Sequence, residues 1–273
     1  MAEAPAMVGK GRLEALSGGV TASLETRGLT IRFGGHVAVD GVSCGFKPGV
    51  LTAIVGPNGA GKTTYFNLIS GQLRATSGTV IVGGRDVTKL GAPQRARLGL
   101  GRAFQLTNLF PNLSVAENVR LATQAHAGVH YELTRTWLGR RDLIDKARAV
   151  LDDVGLAARA SQRAATLSHG DQRKLEVAMM MALEPDILMF DEPTAGMSVD
   201  EAPVVLDLIA RLKQDKRKTI LLVEHKMDVV RSLADRIIVL HNGALVADGE
   251  PAEVIASPIV QEAYLGVTRE TAA

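Results

Sequence analysis

A chain of 273 residues, 46% hydrophobic and 22% charged, has material for one large domain or two small ones. Its 31 basic and 29 acidic side chains leave a net charge of +2, which gives no strong pull toward nucleic acid. No apolar run approaches the roughly 18 residues that span a bilayer, and the single cysteine, Cys44, excludes an internal disulfide and points to a reducing, cytosolic setting.

Residues 1–20 are rich in Ala and Gly, lack a clear period and carry no apolar segment of signal-peptide type; they read as a disordered leader. Short strand-like pieces follow at 22–25, 29–33 and 41–46, broken by glycines, with Lys47-Pro48-Gly49 as a turn. They suggest a small antiparallel sheet leading into an apolar strand at 50–55. Cys44, inside the third piece, reads as a small buried residue. Next comes Gly56-Pro57-Asn58-Gly59-Ala60-Gly61-Lys62-Thr63, a G-x-x-x-x-G-K-[ST] phosphate loop, and then a helix-like stretch over 64–70. A strand delivers such a loop, its glycines let backbone N–H groups close on phosphate oxygens, and the helix turns its positive end toward the anion. This context implies a nucleoside triphosphate with Mg²⁺, Lys62 lying on the β- and γ-phosphates and the Thr63 hydroxyl ligating the metal.

Residues 79–82 read as another strand, ended by Gly83-Gly84. From about 93 to 181 the pattern turns helical, with a break at Phe110-Pro111-Asn112; within it, residues 177–183 look like buried helix. Apolar runs at 187–190, 219–223 and 236–240 then fit buried parallel strands. The alternation implies an open α/β sheet covered by helices. No internal repeat is present, so the chain carries one cassette.

Three further segments carry chemistry. The run at 187–190 ends in Asp191-Glu192. Strand neighbours face opposite ways, so Asp191 can address a Mg²⁺ shell while Glu192 points to the γ-phosphate and an attacking water, as a general base. Thr166-Leu167-Ser168-His169-Gly170-Asp171 places Ser168 as N-cap of a long helix, a second surface suited to phosphate. Val223-Glu224-His225 puts a histidine at a strand tip, able to donate to a γ-phosphate oxygen. The other five histidines (36, 126, 130, 169 and 241) read as structural.

The order of these elements, with Gln105 in Ala103-Phe104-Gln105-Leu106 between loop and signature, strongly resembles the ATPase subunit of ABC transporters over roughly residues 22–266. The resemblance implies a P-loop NTPase core of mixed, largely parallel sheet, an N-terminal antiparallel β subdomain and a helical subdomain near 105–180. One ATPase domain over 21–266 and a short tail at 267–273 follow from it. It implies ATP stacked on Phe33 and bound by the phosphate loop through Thr64. It implies Gln105 approaching metal and water, and Ser168 and Gly170 gripping the γ-phosphate of the opposite subunit's ATP. Asp191, Glu192 and His225 become metal-shell acid, general base and γ-phosphate switch. The signature departs from Leu-Ser-Gly-Gly-Gln at His169 and Asp171, and Ser198 stands where Asp is common. Thr194-Ala195-Gly196-Met197, the Ser-His-Gly signature, the insert at 123–142 and the ending Glu262-Ala263-Tyr264-Leu265-Gly266 look like branched-chain amino acid importers. Urea importers and some lipopolysaccharide-export ATPases share much of that pattern.

The implied partners are a second ATPase subunit, identical or different, transmembrane permease subunits and, indirectly, a solute-binding protein. No nucleic acid partner is implied, and the place is the cytoplasmic face of the cell membrane. A DNA-maintenance ATPase with the same head fold stays open as an alternative, although the interval from loop to signature, about a hundred residues without sustained heptads, is short for one. A tandem-cassette translation factor, a plain kinase and a non-catalytic nucleotide sensor fit less of the motif set.

Overall fold

The computed structural model describes residues 23–103, 109–128, 141–258, 260 and 261. The leader, Gln105, the tail and most of the 123–142 insert lie outside them. Two sheets form the frame. The first contains β1 (Leu24–Phe33), β2 (His36–Phe46), β4 (Ser77–Val82) and β5 (Arg85–Asp86), all antiparallel, in the order β2-β1-β4-β5. The second contains β3 (Leu51–Val55), β6 (Leu100–Ala103), β7 (Ile187–Asp191), β8 (Thr219–Val223), β9 (Arg236–His241) and β10 (Ala244–Gly249) in the order β10-β9-β3-β8-β7-β6. All its pairings are parallel except β10 against β9.

The central strands show why the sequence runs are uniformly apolar. Every residue of β3, β7 and β8 is buried. On β7, Leu188 and Phe190 join the core under the helices, while Ile187 and Met189 join the core against the antiparallel sheet. On β8, Ile220 and Leu222 face the first core, Leu221 and Val223 the second. A strand covered on both faces needs hydrophobic residues at every position. A third core packs β9 under α7 (Met227–Leu233) and α8 (Pro251–Ala256).

The other helices are α1 (Lys62–Ser70), α2 (Ala92–Ala96), α3 (Val115–His126), α4 (Arg141–Asp153), α5 (His169–Leu183) and α6 (Ala202–Gln214). α3 starts with a capping box: Ser114 Oγ accepts from the Glu117 amide and the Glu117 carboxylate accepts from the Ser114 amide at 3.0 Å. α3, α4 and α5 pack on one another through Val119, Ala122, Ala147, Leu151, Leu175 and Ala178. In the second half of α5, Val177, Ala178, Met180 and Ala182 are buried, while Leu183 is exposed.

Two local expectations are corrected, and one strand is added. The pieces at 22–25 and 29–33 are one strand, β1, whose register against β2 slips between Thr26 and Leu29, beside Gly28 at φ +57°. The segment read as helical from 93 contains β6, because parallel pairing of Leu100, Gly101, Arg102 and Ala103 with β7 outweighs a local pattern only four residues long. β10 escaped notice: its apolar run, 244–247, is short and only half-buried at the sheet edge, and the strand is joined to β9 through Asn242-Gly243, both at positive φ (48° and 80°), as a tight hairpin requires. Arg236 ties the two sheets. It donates to Asp248 Oδ1 at 2.6 Å and to the Gly45 carbonyl at 2.6 Å. Next to it Cys44 is buried, and burial pushes its thiol up to about 12, which makes it an unreactive core residue.

Candidate nucleotide site

The register of the parallel strands assembles the site. Ile54 on β3 pairs with Val223 on β8, which pairs with Asp191 on β7. The three segments that follow therefore leave the sheet side by side at its carboxyl edge, where open α/β sheets bind ligands. They are the phosphate loop, the Glu224-His225 segment and the Glu192-Pro193-Thr194 segment.

The phosphate loop, residues 56–63, is held tightly from behind. A β-carbon on Gly56 would strike the Leu240 carbonyl, and one on Gly61 would strike the Ala38 carbonyl; both glycines have positive φ, 151° and 94°. The Gly243 amide donates to the Ala60 carbonyl at 3.1 Å, and the Asp40 amide to the Gly243 carbonyl at 2.9 Å. At Gly59, φ 80°, a β-carbon would meet nothing within 4 Å among the described residues, and Asn58 beside it is exposed, so the outer rim is open to a ligand. Gly61 caps α1 with no side-chain bond, leaving the amides of the first turn, including those of Lys62, Thr63 and Thr64, for an anion. Lys62 is buried and donates to the carbonyls of Gly56 at 2.7 Å and Pro57 at 2.9 Å. Burial lowers its pKa, and the nearby Glu192 and Asp191 oppose that shift. Phe33 stands half-exposed at the end of β1, paired with His36.

Asp191 and Glu192 separate, but not by the strand pleat. β7 ends at Asp191, and Glu192 sits in the left-handed region at φ 50°, its amide on the Val223 carbonyl at 2.9 Å. This turn, unusual for a side chain of that size, sends the two carboxylates apart. Glu192 Oε1 lies 2.7 Å from His225 Nε2, both partly exposed. Asp191 is buried, and burial pushes its carboxyl up, with Arg102 pulling the other way.

Arg102 was missed because it lies on β6, read as helix. Its guanidinium donates to Asp191 Oδ2 at 2.8 Å and, at the far end of α1, to Asn67 Oδ1 at 2.6 Å and Gln72 Oε1 at 2.9 Å. It also covers the Phe66 ring at 5.2 Å. Thr194 and Glu224, quoted within motifs but given no role, form a buried bond of their own at 2.6 Å.

The signature segment lies on α5, outside this cluster. Ser168 Oγ accepts from the Asp171 amide at 3.2 Å, as an N-cap does, and Ser168 is exposed. Gly170 is buried beneath Glu201, whose carboxylate a β-carbon would strike. Asp171, standing where the usual motif has Gln, is taken up by Arg159 and by Lys174, the latter at 3.0 Å.

A family model described as "ABC transporter" matches residues 39–195, more than half the chain, and takes in the loop, the signature and the acidic pair. The chain belongs to the ABC transporter family. A second model, "Branched-chain amino acid ATP-binding cassette transporter", matches residues 244–269. The cassette is 40% identical over 248 residues to LivG of Salmonella typhimurium, a high-affinity branched-chain amino acid transport ATP-binding protein, covering 89% of this chain and 97% of that one. It is 39% identical, with the same coverage, to BraF of Pseudomonas aeruginosa, named likewise. Among solved structures it is similar to the ADP conformation of an ABC transporter's ATP-binding cassette, with TM-score 0.77 and 30% identity over 90% of this chain and 99% of that one. A nucleotide-free cassette matches with TM-score 0.76 and 28% identity, over 89% and 98%. The cassette is thus an ATPase of the kind that couples ATP hydrolysis to transport, built as a largely parallel α/β core with an antiparallel β subdomain. Among the described residues no helix is long and apolar enough to cross a membrane.

Proposed function

We propose that this cassette powers an importer of branched-chain amino acids, or of a similar small solute such as urea, from the cytoplasmic face of the membrane. The observation that carries the cargo class is the match of residues 244–269 to the branched-chain cassette model. The names of the 39–40% identical relatives point the same way.

We assign one ATPase domain to residues 21–266, with the helical subdomain near 105–180. In the catalytic reading the backbone N–H groups of the loop, those of Gly56 and of residues 58–64 (Pro57 has none), and Lys62 bind the phosphates, Lys62 leaving its two loop carbonyls for phosphate oxygens, and Phe33 supports the base. Glu192 is the general base. It takes a proton from the attacking water, and His225, one hydrogen bond away, orients that carboxylate and meets the γ-phosphate.

The Thr63 hydroxyl and the Asp191 carboxylate are hard oxygen donors that suit Mg²⁺, with Gln105 as a third. No cluster of three His, Cys, Asp or Glu side chains able to hold a metal exists among the described residues. This fits an ion that takes most of its shell from phosphates and water. Bound there, Mg²⁺ would neutralise charge on the β- and γ-oxygens.

One chain supplies half of each pocket. We propose that a second ATPase subunit, identical or different, brings its own signature serine and glycine to the γ-phosphate, and that closure acts on the permease subunits. Glu192→Gln should bind ATP with near-normal affinity yet lose about 10²–10⁴ in turnover. Steady-state hydrolysis by the assembled transporter, with calorimetry for binding, checks this, and turnover at the normal rate would refute the base assignment. Uptake of radiolabelled leucine against urea in proteoliposomes decides the cargo class.

A further inference from the structure

Behind the Glu192–His225 contact lies a second link between the same two loops, and it is sealed from solvent. Thr194 is 1% exposed and Glu224 is 3% exposed. Thr194 Oγ1 donates to Glu224 Oε1 at 2.6 Å. The other carboxylate oxygen, Oε2, accepts from the backbone amides of His225 at 2.7 Å and Lys226 at 3.2 Å. No ion pair reaches this carboxylate among the described residues, so its charge is held by these three donors. A buried acid in that state is costly to disturb, since each lost donor leaves an oxygen both dry and unbonded.

The placement gives the link its purpose. Sheet pairing between the two strands stops at Asp191 opposite Val223, and one further backbone bond, from the Glu192 amide, ends the ladder. Beyond that point the strands offer nothing to keep Glu192 and His225 together. Glu192 also sits at φ 50°, a conformation that persists only where its surroundings enforce it. Thr194 follows Glu192 by two residues and carries the turn: the Ala195 amide donates to the Glu192 carbonyl at 3.0 Å and the Met197 amide to the Thr194 carbonyl at 3.3 Å. Glu224 precedes His225 and grips its amide.

We propose that Thr194 and Glu224 are positioning residues: a buried clasp that holds the loop of the general base against the loop of the switch histidine, so that Glu192 and His225 stay in hydrogen-bond reach. The inference rests on reading Glu192 as the base. It touches neither substrate nor reacting atoms.

Thr194→Val tests it, since valine keeps the shape and deletes only the donor; Thr194→Ser restores the donor with one methyl fewer. In the assembled transporter Thr194→Val should lower kcat about tenfold, near 1.4 kcal/mol in barrier, with KM for ATP and nucleotide affinity within about twofold of normal. Thr194→Ser should recover most of the rate. In ¹H–¹³C spectra of the full chain, the His225 imidazole signal should shift or broaden in Thr194→Val and stay in place in Thr194→Ser. Wild-type kcat in Thr194→Val overturns the clasp. So does a loss of rate that arrives with weakened nucleotide binding and an unmoved His225 signal, which marks a purely structural role. Normal turnover by Glu192→Gln, measured alongside, would overturn the base assignment on which the inference stands.

Discussion

At the scale of single residues, burial decides which side chains are comfortable. Glu176 on α5 is buried, its Oε1 has no hydrogen-bond partner among the described residues, and burial pushes its carboxyl up despite the lowering pull of Arg173. A raised carboxyl pKa means that the folded chain holds the proton more tightly than the unfolded one. Ionisation of Glu176 therefore costs stability as pH rises through the unfolded value, fully so above the folded one. Glu176→Gln should raise the Tm near pH 8 by about 2–4 °C, corresponding to about 1 kcal/mol, and change it little near pH 4. Thermal melts at the two pH values check this; a lower Tm at the higher pH would contradict it. The motif residues, in contrast, were legible one by one: the glycines that only a β-carbon-free residue can fill, the two acids at a strand end and the histidine at the next tip. Arg102, Glu224 and Glu201 were not, because their partners Asp191, Thr194 and Gly170 lie 30 or more residues away along the chain and no local spacing links them.

At the scale of elements, the sequence is plain where both faces of a strand are buried and where a helix has a cap. β3, β7, β8 and β9 follow from their apolar runs, and α5 starts at the serine that its N-cap pattern marks. β6 and β10 are different. One has four residues and owes its strand form to β7, and the other is half-exposed and owes it to a hairpin turn. α3 rests more on its own chemistry. Ser114→Ala removes the acceptor for the Glu117 amide and should cost about 1 kcal/mol. Chemical denaturation should show a lower midpoint with an unchanged slope, and an unchanged midpoint would mean that packing alone holds the start of that helix.

For the whole molecule, the α/β architecture and the family were readable because the motifs come in a fixed order on a recognisable alternation of strands and helices. The proposed reach across a subunit boundary rests on resemblance alone, since one chain shows only its own loop and its own signature. We propose that two such faces complete each other around ATP. The most direct measurement is the association state of Glu192→Gln, alone and with its companion ATPase, by sedimentation with and without Mg-ATP. A pair should form with ATP, fall apart without it and be lost on adding Ser168→Arg, while ATP still binds each separate chain. Association that ignores ATP, or that survives Ser168→Arg unchanged, would contradict it.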